Sequence, residues 1–147
     1  GVNVATILII DDDAFVRETV DVLLTQGGYT VACAASARSG LSMLRTMRVD
    51  LVLLDIHMPE MNGLATLSTI RRTIRPAPPI LMLTSDRRPE PVAEARARGC
   101  AGYIAKPFTP DGLSERVKMA LRRTSTRRGG DGTVETATAD PGAWILD

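Results

Sequence analysis

The chain has 147 residues and a formal net charge of +1, and it is 44% hydrophobic but only 3% aromatic. This length suits one domain with a short appendage, large enough to bury a core without disulfides or a structural metal. The near-neutral charge gives no reason to expect direct contact with nucleic acid or an anionic membrane, and the few aromatic residues argue against a base-stacking surface.

The first half of the chain alternates short apolar runs with segments of helical periodicity. Thr6–Asp11 predicts a buried strand, and the helix that begins near Phe15 stops at Gly27-Gly28. Thr30–Ala34 predicts a second strand, and Ser36 is the expected N-cap of the next helix. Asp50–Asp55 predicts a third strand, which is again of the buried type.

The second half continues the alternation. A third helix begins near Leu64, and prolines end it before the strand Ile80–Thr84. A weaker helix is predicted from Pro89 to Arg98, where Gly99 ends it, and the fifth strand is Gly102–Ala105. The last helix is predicted over Asp111–Arg123.

Five strands alternating with five helices predict a doubly wound α/β fold, with a parallel sheet of flavodoxin-like order 2-1-3-4-5. Residues 1–123 form the predicted domain. Residues 124–147 are expected to be a linker and a C-terminal tail, with no output domain. Cys33 and Cys100 lie in no metal-type spacing, and no segment resembles a signal peptide or a membrane span. We therefore expect two free thiols in a cytoplasmic protein.

Polar residues follow four of the five predicted strands, where ligands bind in open parallel sheets. They are Asp11-Asp12-Asp13, Asp55, Thr84-Ser85 and Lys106. Two carboxylates ~5 Å apart at an effective dielectric constant near 20 repel by about 3 kcal/mol. A hard divalent cation, Mg²⁺ or Mn²⁺, would offset this repulsion, and Lys106 supplies a further positive charge. Such a site suits phosphoryl transfer to an aspartate.

Each of these residues also has an ordinary structural explanation. An acidic run after a strand is usually a helix cap, a threonine at a strand end commonly satisfies backbone groups, and Lys-Pro is usually a turn. The joint placement on successive strands favours the functional interpretation. With a single histidine, His57, and no suitable cysteine pair, a zinc site is not expected.

Over about residues 5–123 the chain resembles the receiver domains of bacterial two-component response regulators. The motifs that carry the resemblance are ILIIDDD, LVLLDIHMPEMNG, LMLTSD and GCAGYIAKPF. The resemblance implies that Asp55 is the phosphoacceptor. It implies that Asp11, Asp12, Asp55 and the backbone carbonyl of His57 bind the metal. It also assigns Thr84 and Ser85 to the switch hydroxyl and its small neighbour, Lys106 to phosphate pairing before a cis Lys106–Pro107 bond, and Tyr103 to the rotating aromatic.

The resemblance also implies partners. A sensor histidine kinase or histidine phosphotransfer protein would donate the phosphoryl group. The surface of the fourth helix, fifth strand and fifth helix would then act on a downstream protein or a removed output domain, or form a homodimer. Ala101-Gly102 stand where many winged-helix regulators carry acidic residues of their dimer salt bridges, which weakens the case for that dimer.

Two rival functions are considered. A hydrolase of the aspartyl-phosphate type would place its nucleophile on the first strand in a D-x-D pattern, where this chain has DDD. Such a hydrolase would usually also carry a cap insertion, which this sequence lacks. A flavodoxin-like cofactor protein needs a hydroxyl-rich phosphate loop, whereas the acids here would repel a phosphate without a metal. We expect at most self-phosphorylation from small phosphodonors and slow autodephosphorylation, rather than classical enzyme activity.

Overall fold

The five predicted strands form one parallel sheet in the order β2-β1-β3-β4-β5, as predicted. The computed structural model describes residues 4–85 and 88–129. The strands are β1 Thr6–Ile10, β2 Thr30–Ala34, β3 Leu51–Asp55, β4 Ile80–Thr84 and β5 Gly102–Ala105. The helices are α1 Ala14–Gln26, α2 Ala37–Thr46, α3 Gly63–Thr73, α4 Pro89–Ala97 and α5 Pro110–Gly129.

Alternate residues of each central strand enter two separate cores, because successive side chains of a strand point to opposite faces of a sheet. Leu8 and Ile10 of β1 lie in the core under α2, α3 and α4, whereas Ile7 and Ile9 lie in the core under α1 and α5. The strand β3 is buried along its whole length. Both faces of the sheet are therefore covered, which explains the continuous apolar runs in the sequence.

Side-chain caps fix where α1, α2 and α3 begin. The predicted cap, Ser36, accepts a hydrogen bond from the backbone N–H of Ser39 at the start of α2. Asp13 accepts from Phe15 N–H at the start of α1, and Asn62 accepts from Ala65 N–H at the start of α3. Each cap satisfies a backbone donor that the first helical turn leaves without an intrahelical partner.

The end of α5 differs from the prediction. We expected the helix to stop at Arg123, but it continues to Gly129, so the first part of the predicted linker is helical. Residues 130–147, the rest of the predicted linker and tail, lie outside the described part of the chain. Among the described residues, no helix has the length and apolar character needed to span a bilayer. Cys33 and Cys100 are both free, with Cys33 exposed and Cys100 buried.

Candidate functional site

The site lies at the carboxyl edge of the sheet, between β1 and β3. The chain leaves β1 at Asp11, whose backbone N–H donates to the carbonyl of Ala34 at the end of β2. Asp55 is the last residue of β3. Since β1 lies between β2 and β3 in the sheet, the connections from β1 and β3 diverge here and leave a crevice.

Three carboxylates meet in this crevice. One oxygen from each of Asp11, Asp12 and Asp55 lies within 4.8 Å of the other two. Asp11 is fully buried and Asp55 is 4% exposed, whereas Asp12 is exposed. Three hard oxygen donors this close together match the ligand preference of Mg²⁺ or Mn²⁺, so the residues present suit the predicted metal.

Lys106 is the cation that compensates the two buried acids. Its Nζ lies 2.9 Å from Asp11 Oδ2 and 3.1 Å from Asp55 Oδ1. The backbone N–H of Lys106 donates to the carbonyl of Thr84, so the lysine is held at the edge where β5 leaves the sheet. The bond between Lys106 and Pro107 is cis, as predicted.

The pKa values reflect this crowding. Burial raises the pKa of Asp55 above its ordinary value, the charge of Asp11 raises it further, and Lys106 acts in the opposite direction. Burial by itself would lower the pKa of Lys106, but its hydrogen bonds to and the charges of Asp11 and Asp55 outweigh burial and raise it. Lys106 is therefore firmly protonated, and Asp55 is the acid whose charge is costly.

The acidic run after β1 divides into two functions. Asp13 is the N-cap of α1, so the ordinary explanation of such a run holds for this residue. Asp11 is turned into the crevice, where its Oδ1 accepts the backbone N–H of Asp13 at 2.9 Å. Asp12 is free of the capping role and reaches the ligand cluster.

The loop after β3 is built around Asp55. The backbone N–H of His57 donates to the Asp55 carboxylate, and the His57 side chain is exposed. The N–H of Gly63 donates to Ile56 O at 2.7 Å, and a Cβ on Gly63 would overlap the carbonyl oxygen of Asp55. This close approach of Gly63 to Asp55 could not be read from the sequence.

Thr84 and Tyr103 share one face of the sheet. Met82 pairs with Tyr103 and Thr84 pairs with Ala105, so Thr84 and Tyr103 are diagonal neighbours on the face covered by α4. Both are buried, at 1% and 2% exposure. Ser85, the next residue after Thr84, is exposed. The structure thus brings Lys106 into direct contact with Asp11 and Asp55, and it places Thr84 at the end of the neighbouring strand.

One residue of this region was not singled out from the sequence. Arg17 of α1 donates from Nη1 to the backbone carbonyl of Asp11 at 2.8 Å. An arginine on an amphipathic helix is normally a solvated surface residue, so nothing in the sequence indicated that Arg17 contacts the Asp11 carbonyl.

The family model of the response regulator receiver domain matches residues 7–118, which include Asp11, Asp12, Asp55, Thr84 and Lys106. The chain belongs to the response regulator receiver domain family. Receiver domains are signalling switches of two-component systems rather than classical enzymes, and phosphorylation and Mg²⁺ binding at acidic residues are typical of them. The hydrolase alternative is not favoured.

Curated relatives include longer regulators. The transcriptional regulatory protein ZraR of Salmonella typhimurium is 40% identical over 118 residues, which are 80% of this chain and 26% of ZraR. The response regulator MprA of Mycobacterium sp. strain KMS is 36% identical over 138 residues, 92% of this chain and 60% of MprA. This receiver domain therefore spans less than two thirds of the length of either relative.

Solved structures similar to this receiver domain include shorter proteins. The chemotaxis protein CheY4 of Vibrio cholerae superposes with a TM-score of 0.77 at 33% identity, covering 81% of this chain and all of CheY4. A CheY-like receiver domain protein from Methanospirillum hungatei gives a TM-score of 0.80 at 30% identity, covering 85% of this chain and 99% of that protein. These likenesses confirm the predicted fold and the resemblance from which the site was predicted.

Proposed function

We propose that Asp55 is the phosphoacceptor of this receiver domain and takes its phosphoryl group from a sensor histidine kinase or a histidine phosphotransfer protein. The observation that carries the proposal is the bridge from Lys106 Nζ to both Asp11 and Asp55 in a crevice where three carboxylates converge. A cation held between two buried acids is the arrangement that a dianionic phosphoryl group can enter without meeting uncompensated negative charge.

The transfer step assigns a task to each side chain. A carboxylate oxygen of Asp55 forms the new bond to phosphorus, while the bond from phosphorus to the histidine nitrogen of the donor breaks and the nitrogen keeps the electron pair. Lys106 leaves Asp55 to pair with a phosphoryl oxygen, retaining Asp11 as its second partner. Thr84 and Ser85, at the end of the adjacent strand, supply hydroxyl and backbone donors to another phosphoryl oxygen.

The metal ligands that we propose are the carboxylates of Asp11, Asp12 and Asp55 and the backbone carbonyl of His57. When bound, Mg²⁺ or Mn²⁺ supplies positive charge to the phosphoryl oxygens and orients them for in-line attack. The residues prepare the site for this cation by holding three oxygen ligands together in the folded chain.

The proposed output is a change at α4, β5 and α5. If Thr84 moves toward the phosphoryl group, it vacates space on the face that it shares with Tyr103, and the Tyr103 ring moves into that space. The α4–β5–α5 surface would then engage a downstream protein, an output domain like those of longer response regulators, or a second copy of this chain.

Intact-mass spectrometry after incubation with acetyl phosphate and Mg²⁺ tests the assignment. We expect one added phosphoryl group on the parent chain and none on Asp55→Asn or in excess EDTA, because the nucleophile and the cation are both required. Asp111→Asn, at an exposed position in the first turn of α5, is the matched control and should be labelled like the parent. Persistent labelling of Asp55→Asn at a site mapped away from Asp11 and Asp12 would refute the proposal.

A further inference from the structure

Arg17 occupies a position that helix stability alone does not explain. It is the fourth residue of α1, near the helix N-terminus, where the helix dipole disfavours positive charge, and no acid occupies the first turn. Its side chain is half-buried and turns back past the start of the helix, where Nη1 donates to Asp11 O at 2.8 Å. One end of the guanidinium is therefore bound to the β1–α1 turn.

This hydrogen bond completes the fixation of Asp11. The backbone N–H of Asp11 donates to Ala34 O, its Oδ1 accepts from Asp13 N–H, and its Oδ2 accepts from Lys106. The Arg17 side chain binds the remaining polar backbone group of Asp11, its carbonyl oxygen. The backbone N–H of Arg17 donates to Asp13 O at 3.1 Å. The side chain of Arg17 thus binds the carbonyl of the residue before Asp12, whereas its backbone N–H makes the ordinary first hydrogen bond of the helix to the residue after Asp12.

We propose that Arg17 is a positioning residue for the divalent cation, acting through the β1–α1 turn to hold the Asp12 carboxylate beside those of Asp11 and Asp55. Asp12 is the exposed member of the three and lies outside the strands, so the conformation of the turn decides where its carboxylate points. The inference rests on the proposed function of the acidic site and adds a residue that touches neither the phosphoryl group nor the cation.

The direction of the change in Mg²⁺ affinity on replacing Arg17 distinguishes a positioning role from a purely electrostatic one. Removing a positive charge next to an acidic site strengthens cation binding if charge is all that matters. Removing a residue that holds a ligand in place weakens binding, typically by tenfold or more for the partners of metal ligands. The two roles of Arg17 therefore predict opposite changes in Mg²⁺ affinity.

Mg²⁺ titration of the unphosphorylated chain by calorimetry or amide chemical shifts tests the proposal. We expect Arg17→Met to raise the Kd for Mg²⁺ by about tenfold. Arg17→Lys, which keeps a donor and the charge, should recover most of the affinity. Arg72→Met removes an exposed arginine from the last turn of α3 and should bind Mg²⁺ like the parent. Saturating Mg²⁺ should restore the rate of labelling by acetyl phosphate in Arg17→Met.

An Arg17→Met chain that folds, as judged by circular dichroism, and binds Mg²⁺ as tightly as the parent or more tightly would overturn the proposal. If Arg17→Met does not fold, the Mg²⁺ affinities of Arg17→Gln and Arg17→Lys test the proposal instead. We expect Arg17→Gln to bind Mg²⁺ more weakly than Arg17→Lys. Equal Mg²⁺ affinities of these two variants and the parent would count against a positioning role. If the Arg17 variants bind Mg²⁺ like the parent while Asp55→Asn still takes no phosphoryl group, only the role of Arg17 is rejected. Labelling of Asp55→Asn would instead reject the function on which the inference rests.

Discussion

The charged form of Asp55 is disfavoured by some of its surroundings and favoured by others. It is 4% exposed and lies beside Asp11, and both effects disfavour its carboxylate form, whereas the contact with Lys106 favours it. The net result is a raised pKa, so the charged form of Asp55 costs the folded state stability at neutral pH. An unfavourably placed charge of this kind is a common feature of functional sites.

The pH dependence of stability follows from this direction. Below the ordinary pKa of 3.8, Asp55 is protonated in both the folded and the unfolded chain and costs nothing. As the pH rises through the window between 3.8 and the raised folded-state value, the unfolded chain loses the proton first, and the free energy of unfolding falls. Above that window the loss in the free energy of unfolding that Asp55 causes no longer changes with pH.

We therefore predict that Asp55→Asn is more stable than the parent at pH 7 in EDTA. The expected gain in Tm is a few degrees, the shift that about 1 kcal/mol produces in a domain of this size. Differential scanning calorimetry from pH 3 to 8 should show the gain shrinking toward the acidic end. Glu115→Gln, at an exposed position of α5, is the control and should change little. A parent chain as stable as Asp55→Asn at pH 7 would contradict the raised pKa.

At the scale of elements, α4 is the helix with the weakest attachment. Its N-cap, Arg88, makes no side-chain capping hydrogen bond, and Ala95 is its one buried residue. Its C-terminal end is held instead by Arg98, whose Nη1 donates to Leu64 O at 3.0 Å and to Ser68 Oγ at 3.3 Å on α3. Because α3 begins at the loop packed on Asp55, Arg98 connects α4 to the helix that follows this loop.

Arg98→Met should loosen α4 selectively. Losing charge-assisted hydrogen bonds to a backbone carbonyl and a hydroxyl is expected to cost about 1–2 kcal/mol, and amide hydrogens of α4 should exchange faster while those of β1 and β3 are affected less. Hydrogen exchange read by mass spectrometry measures both. Glu94→Gln removes only the half-exposed Glu94–Arg98 pair on the same helix, so its effect should stay within about 0.5 kcal/mol. Equal effects of the two substitutions would show that the bridge to α3 does not hold α4.

At the scale of the whole molecule, the sequence predicted the strands and helices and their order, because these features depend on the periodicity of apolar residues. The apolar runs of β1 and β3 and the turn glycines sufficed for the order of elements, because burial on both faces leaves a continuous signal. The convergence of Asp11, Asp12 and Asp55 followed from the predicted strand order, in which the first and third strands flank the crevice. Some features escaped prediction for physical reasons. The helical residues 124–129 were missed because they include no apolar residue. The contact of Arg17 and the close approach of Gly63 to Asp55 depend on the conformation of turns.

Cys100 offers a test of whether the molecule unfolds as one unit. Cys100 is 7% exposed at the α4–β5 junction, and burial raises the pKa of its thiol to about 12. Its backbone N–H donates to Ala95 O, and that of the next residue, Ala101, donates to Ile80 O. The thiol is thus bounded by a helix, a strand and the core beneath them. Since the thiolate is the reactive form, Cys100 should be inert in the folded chain, while the exposed Cys33 reacts.

We predict that a thiol reagent at pH 8 modifies one cysteine, Cys33, in the native chain. Cys100 should react at least about a thousandfold more slowly than in urea-unfolded chain, the protection expected of a domain with ordinary stability. Its labelling rate should rise with urea along the same slope as global unfolding followed by circular dichroism, because exposing the thiol requires both sides of the junction to open. Cys33→Ser isolates the slow reaction. A Cys100 rate independent of urea would show instead that the α4–β5 junction opens while the rest of the sheet stays folded, and Arg98→Met would then be expected to accelerate that opening.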